Sequence, residues 1–173
     1  LQGDVGSGKT IVSLLVAFNT VISGFQVAVM TPTEILARQH YNLAKKIFPK
    51  NLNIQLISGK LDFKTKKDIL NKLTTKEIDI IFGTHAIFQK KVIFKNLGLI
   101  IIDEQHKFGV NQRKRLSDKG GNNCDVLLMT ATPIPRTLTM TMYGDMDISV
   151  IAEKPKLRKP IKTYSKLENK IND

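Results

Sequence analysis

The chain has 173 residues, 42% of them hydrophobic, which is enough for one domain with a substantial core. A single cysteine, Cys124, excludes an internal disulfide and suits a reducing, cytoplasmic compartment; it reads as a small core or near-surface residue rather than a nucleophile. A formal net charge of +12 points to a polyanionic partner, nucleic acid before an anionic membrane surface, unless it is only a lysine-rich solvated face. The apolar run Leu99 to Ile102, like every other in the chain, is far too short to cross a bilayer, and no signal peptide is visible.

Taken in order, the chain opens on Gly3-Asp4-Val5-Gly6-Ser7-Gly8-Lys9-Thr10, a G-x-x-x-x-G-K-[ST] loop. Glycines allow successive backbone N–H groups to turn inward onto a phosphate chain, and the following helix adds its N-terminal N–H groups and dipole. Lys9 would reach the β- and γ-phosphates of ATP, and the Thr10 hydroxyl would ligate Mg²⁺. The chain begins inside its first expected strand without a Met, and so reads as a fragment of something longer.

Residues 9–22 predict a helix, apolar on most sides through Ile11, Val12, Leu14, Leu15, Val16 and Phe18, and stopped by Gly24. Gln26 to Met30 predicts a strand. Thr33 is placed to cap a helix from Glu34 to Ile47. A strand from Asn53 to Ile57 follows, then a lysine-rich helix over 62–76 with Phe63, Ile69, Leu70 and Leu73 as its apolar face. Strands are expected at Asp79 to Phe82, Leu97 to Ile102 and Asp125 to Met129, with a further helix after Pro133-Ile134-Pro135. This alternation is the signature of an α/β fold, a doubly wound parallel sheet with helices on both faces, and together with the phosphate loop it resembles the RecA-like P-loop NTPases. The domain is expected over 1–153. Residues 154–173, basic and broken by Pro155 and Pro160, read as a linker, with Ile161 to Tyr164 as a candidate strand.

In such a sheet ligands gather at the carboxyl ends of strands. Three candidate sites fall there: the Gly3–Thr10 loop, Asp103-Glu104 and Thr130-Ala131-Thr132. Asp103 would join Thr10 on Mg²⁺, and Glu104 could polarise a water for in-line attack on the γ-phosphate. Gln105 and His106 lie just beyond, where they could sense that phosphate. No cluster of Cys and His has metal-ligand spacing, since His40, His85 and His106 are far apart in sequence.

The combination G-D-V-G-S-G-K-T, D-E-Q-H and T-A-T resembles the first motor domain of superfamily 2 nucleic-acid helicases and translocases. Within them, the segments 103–110 and 130–138, with Tyr143-Gly144-Asp145, resemble the RecG family of branched-DNA helicases. Transcription-repair coupling translocases share the T-A-T-P-I-P-R-T-L run but usually carry D-E-E-H, so Gln105 favours the former; the latter remains the alternative. Lys107 and Ser58 are mild departures, standing where Arg and Thr are usual.

The resemblance implies an ATP-dependent motor that remodels forks and Holliday junctions in recombination and repair. It implies DNA contacts from Thr33, Arg38, Gln39, Gly59, Thr84 and Arg136, and a role for Thr130 and Thr132 in coupling ATP state to domain movement. It also implies partners in the same polypeptide, an N-terminal wedge domain and a second motor domain with an arginine finger. Such a finger is worth ~10³–10⁵ in rate, so this chain is expected to bind ATP and hydrolyse it barely. A small-molecule kinase would leave D-E-Q-H and T-A-T unexplained, while a pure binding module fits the isolated domain.

Overall fold

The computed structural model describes residues 1–104, 124–132 and 147–153. Its strands are β1 (Gln2–Gly3), β2 (Gln26–Met30), β3 (Ile54–Ile57), β4 (Ile80–Gly83), β5 (Leu97–Ile102), β6 (Asp125–Leu128) and β7 (Val150–Ile151). Its helices are α1 (Lys9–Ile22), α2 (Glu34–Ile47) and α3 (Phe63–Thr75), with a 3-10 turn at His85–Phe88. Strands β3-β4-β2-β5-β6 form one sheet, parallel throughout. β1 pairs in parallel with β7, and an isolated parallel bridge from Gln2 to Thr130 ties β1 to the chain just beyond β6.

The core follows from strand composition. β2 and β5 are buried at every position, as near-continuous runs of apolar residues demand in a sheet covered on both faces. Alternation divides their side chains between two layers. Ala28, Met30, Ile81, Ile100 and Ile102 pack with Ile69 and Leu73 of α3. Val27, Val29, Ile80, Phe82, Leu99 and Ile101 pack with Leu14 and Ala17 of α1 and Ala44 of α2. The doubly wound arrangement is therefore present, with α1 and α2 on one face and α3 on the other.

Local signals set the helix ends. Gly24, at φ 87°, closes α1, its N–H donating to Val21 O at 2.9 Å. Thr33 caps α2 by accepting from Leu36 N at 3.3 Å, and Asp62 caps α3 by accepting from Thr65 N at 2.9 Å. At the start of β2, the buried amide of Gln26 donates to Leu73 O (3.0 Å) and Ile78 O (2.8 Å) and accepts from Lys95 N and Asn96 N (3.0 Å each). One side chain thus joins β2, the end of α3 and the approach to β5.

Two expectations need correction. α1 is apolar on most sides, but the burial implied by that composition is confined to one: Ile11, Val12, Leu15 and Val16 are 38–57% exposed, and only a stripe including Leu14 and Ala17 is fully buried. Counting apolar residues does not establish that a second layer covers the outer side. Phe63 does not belong to the apolar face of α3; it opens the helix, before the stripe set by Ile69 and Leu73, and is 83% exposed. β7 carries no periodic signal in two residues and was not anticipated. The helix expected after Pro135 and the strand at 161–164 lie outside the described residues.

Candidate nucleotide and nucleic-acid site

The phosphate loop is held from below by the sheet. Gln2 N donates to Ser149 O (2.8 Å), Gly3 N to Thr130 O (3.4 Å) and Thr130 N to Leu1 O (3.2 Å). The loop then turns through Gly6 (φ 80°) and Gly8 (φ 94°), left-handed backbone that suits glycine. Ser7 N closes the turn onto Asp4 O at 3.1 Å, and Asp4 Oδ1 accepts from Val5 N at 2.8 Å. At Gly3 a Cβ would lie 2.5 Å from Ser7 Oγ and 3.2 Å from Ile151 Cβ, so a side chain there would have to displace the Ser7 hydroxyl. No side chain caps the N-terminus of α1, and its first turn holds no acidic residue. The positive end of its dipole is therefore left for an anion.

Lys9 is buried, and its Nζ donates to Gly3 O (2.8 Å) and Asp4 O (2.9 Å), which fixes the ammonium against the loop. Ser7 Oγ is buried without a hydrogen-bond partner. An orphaned hydroxyl inside a glycine loop fits a phosphate oxygen, because a buried polar atom otherwise loses its hydration uncompensated.

Across the site, β5 ends in Asp103, whose N–H donates to Met30 O at 2.9 Å. Glu104 follows with φ 52°, uncommon for a residue with a side chain, so the chain turns sharply at the acid pair. Asp103 is buried, with Oδ1 accepting from Glu104 N at 3.0 Å and Oδ2 lying 2.9 Å from His40 Nε2. Asp103 carries a carboxylate and Thr10 a hydroxyl, both of the hard oxygen type that Mg²⁺ takes. Among the described residues no group of three or more His, Cys, Asp or Glu is placed to hold a metal ion.

Thr130 and Thr132 form a compact turn: their hydroxyls lie 3.0 Å apart and Thr132 N donates to Thr130 Oγ1 at 3.2 Å. Because Thr130 also exchanges backbone hydrogen bonds with Leu1 and Gly3, this turn is fastened to the base of the phosphate loop.

Thr33, Gly59 and Thr84, expected to contact DNA, lie toward the other half of the same edge. In the aligned register Ile57, Gly83 and Met30 are level, so the segments leading to Gly59, Thr84 and Thr33 leave β3, β4 and β2 side by side. Gly83 itself has no room for a side chain, since a Cβ would lie 2.7 Å from Ile57 Cγ2 and 2.8 Å from Ile57 O. Gly59 N donates to Glu34 Oε1 at 2.5 Å. Arg38 and Gln39 are exposed and, with Glu34, Ile35, Asn42 and Lys60, line an open groove of about 240 Å³. Gln105, His106 and Arg136 lie outside the described residues. Cys124 is half-buried and burial, with a smaller push from Asp125, raises its thiol pKa to about 11, so it is not an activated nucleophile.

Sequence reading missed His40. Spacing alone sets it far from the other two histidines, yet it lies on the buried stripe Ala37, His40, Ala44 of α2, and a polar residue on an inward stripe needs a partner.

The sequence matches the DEAD/DEAH box helicase family over residues 1–141. It is similar to the ATP-dependent DNA helicase RecG of Streptococcus pneumoniae, 55% identical over 94% of this chain and 24% of that protein. It is 52% identical to the Bacillus subtilis RecG over 95% of this chain and again 24% of that protein. The chain thus spans about a quarter of the length of these relatives. Among solved structures, RecG bound to a three-way DNA junction superposes with a TM-score of 0.77 at 44% identity, over 93% of this chain and 21% of that one. A DEAD box protein from Methanococcus jannaschii shares the fold with a TM-score of 0.65 at 22% identity, over 86% of this chain and 44% of that one.

Proposed function

This chain belongs to the DEAD/DEAH box helicase family, and from that premise we propose that it is the first, nucleotide-binding motor domain of a RecG-type ATP-dependent DNA helicase. The reading rests on the division of the sheet edge. The phosphate loop, Asp103-Glu104 and Thr130–Thr132 follow β1, β5 and β6, whereas Thr33, Gly59 and Thr84 follow the neighbouring β2, β3 and β4.

In this assignment the Gly3–Thr10 loop and the α1 N-terminus bind the phosphates of ATP, with Lys9 supplying the positive charge and Ser7 a hydroxyl. Thr10 and Asp103 would hold Mg²⁺, which when bound neutralises developing charge on the phosphates. Glu104 orients the attacking water and accepts its proton. Gln105 and His106 contact the γ-phosphate end, and Thr130 with Thr132 transmits nucleotide state from the base of the loop. Thr33, Arg38, Gln39, Gly59, Thr84 and Arg136 contact the DNA backbone, which sets position rather than sequence. The substrate is branched DNA, forks and junctions, and the relatives do not favour the transcription-repair alternative. The domain spans 1–153, with 154–173 leading to a second motor domain, and a wedge domain completes the polypeptide. The single cysteine suits work in the cytoplasm.

Calorimetry of Mg²⁺-ATP binding, with Lys9→Ala alongside, tests the site, and phosphate release with and without forked DNA tests the division of labour. Binding that disappears in the variant, with negligible turnover, is expected. Equal binding by both proteins would overturn the nucleotide site, and turnover matching an intact RecG would overturn the need for a second motor domain.

A further inference from the structure

His40 and Asp103 are 63 residues apart in sequence and meet at 2.9 Å, both buried. A carboxylate oxygen accepts, so in this contact the His40 Nε2–H is assigned as the donor to Asp103 Oδ2. Asp103 Oδ1 is engaged by the Glu104 N–H at 3.0 Å. The carboxylate is therefore fixed at both oxygens, once from its own strand end and once from α2. The second tie spans the boundary between the two halves of the sheet edge, because β2 and β5 are neighbours and α2 follows β2.

The position of His40 on α2 gives the tie a direction. The turn that carries His40 inward also carries Arg38 and Gln39 outward to solvent. Six residues earlier, at the start of the helix, Glu34 accepts from the Gly59 N–H. A helix is stiff over this span, so any displacement of its outer face moves His40 with it. Carboxylates that ligate metals are commonly held by such a second partner, whose loss costs about 10–100-fold in metal affinity.

We propose that His40 is a positioning residue that sets the Asp103 carboxylate for Mg²⁺ and ties that carboxylate to the nucleic-acid-facing helix α2. The inference rests on the assignment of Asp103 as a Mg²⁺ ligand made above. It goes beyond that assignment by naming the residue through which α2 reaches the metal site.

The test compares ADP affinity in Mg²⁺ with ADP affinity in EDTA for the full chain and for His40→Gln, His40→Asn and His40→Ala, with Mn²⁺ resonance spectra of the nucleotide complex as a second readout. The Gln amide reaches about as far as Nε2 and the Asn amide falls short. Expected are a Mg²⁺-dependent gain near that of the parent in His40→Gln, a gain reduced at least tenfold in His40→Asn and His40→Ala, and unchanged affinity in EDTA. The Mn²⁺ spectrum should broaden in the two short variants. If His40→Ala does not fold, as a thermal melt will show, the Gln and Asn pair decides. Forked DNA should alter Mg²⁺-ADP affinity in the parent and not in His40→Asn. A Mg²⁺-dependent gain in His40→Asn equal to the parent's, or equal losses in Mg²⁺ and EDTA, would reduce His40 to a structural contact. A DNA effect that persists in His40→Asn would sever the tie to α2. A parent chain that binds ADP without any Mg²⁺ dependence would instead refute the assignment of Asp103, and this inference with it.

Discussion

Gln26→Leu removes a near-isosteric amide from one of the most connected positions in the fold. Gln26 is 1% exposed and makes four hydrogen bonds to backbone groups. The carbonyl of Ile78, itself fully buried, relies on this amide, and leaving such a group unsatisfied costs about 1–3 kcal/mol. Leu73 O and Lys95 N retain each other at 3.3 Å, and Asn96 is exposed enough to turn to water. Those three lost bonds are each worth about 0.5–1.5 kcal/mol. Added apolar burial returns part of this, so the net loss should be about 3–5 kcal/mol. For a chain of this size that is a fall in Tm of about 10 °C, at roughly 2–4 °C per kcal/mol. Urea unfolding followed by circular dichroism measures it, with Gln39→Leu as the control. The same substitution at an exposed position should stay within about 0.5 kcal/mol of the parent. If Gln26→Leu proves no worse than Gln39→Leu, the amide is not what joins β2 to α3 and β5.

Gly83→Ala should cost about 1–3 kcal/mol, because the new methyl meets Ile57 backbone and side chain at under 3 Å at the level where β3 and β4 end; unchanged denaturant midpoints would refute this. Cys124 should resist alkylation at pH 8. Two pKa units above the ordinary 9.0 leave about a hundredfold less thiolate than a free thiol holds, and iodoacetamide labelling at the rate of a small thiol would contradict that. The same shift makes stability fall as pH rises from 9.0 through about 11, since the unfolded thiol ionises first; Cys124→Ser should remove that part of the pH profile.

Features tied to backbone demands were the ones open to sequence reading. The left-handed glycines of the phosphate loop, the stop at Gly24 and the Thr33 cap each state a conformational requirement in one or a few residues, and each is met where expected. The fully apolar run of β5 likewise announced a central buried strand. What escaped depended on partners far along the chain. His40 has meaning only beside Asp103, and Gln26 only beside Leu73, Ile78, Lys95 and Asn96. The outer side of α1 was misjudged because its residue types are those of a core, although nothing in a single helix states how many layers will cover it.

The seating of β1 also sets an order of events during synthesis. The residues of the phosphate loop leave the ribosome before the rest of this domain, but their hydrogen-bonding neighbours are Thr130, Ser149 and the β7 residues. At about 5–20 residues per second, the loop waits many seconds for the strands that will hold it. The strands β2 to β5 can meanwhile assemble from chain already available, since their pairings close within residues 26–102. Nucleotide therefore cannot template the early folding of this domain. Its first opportunity to stabilise the native state arrives after residue 151 has emerged, when the segment of this domain made earliest is seated against the one made late.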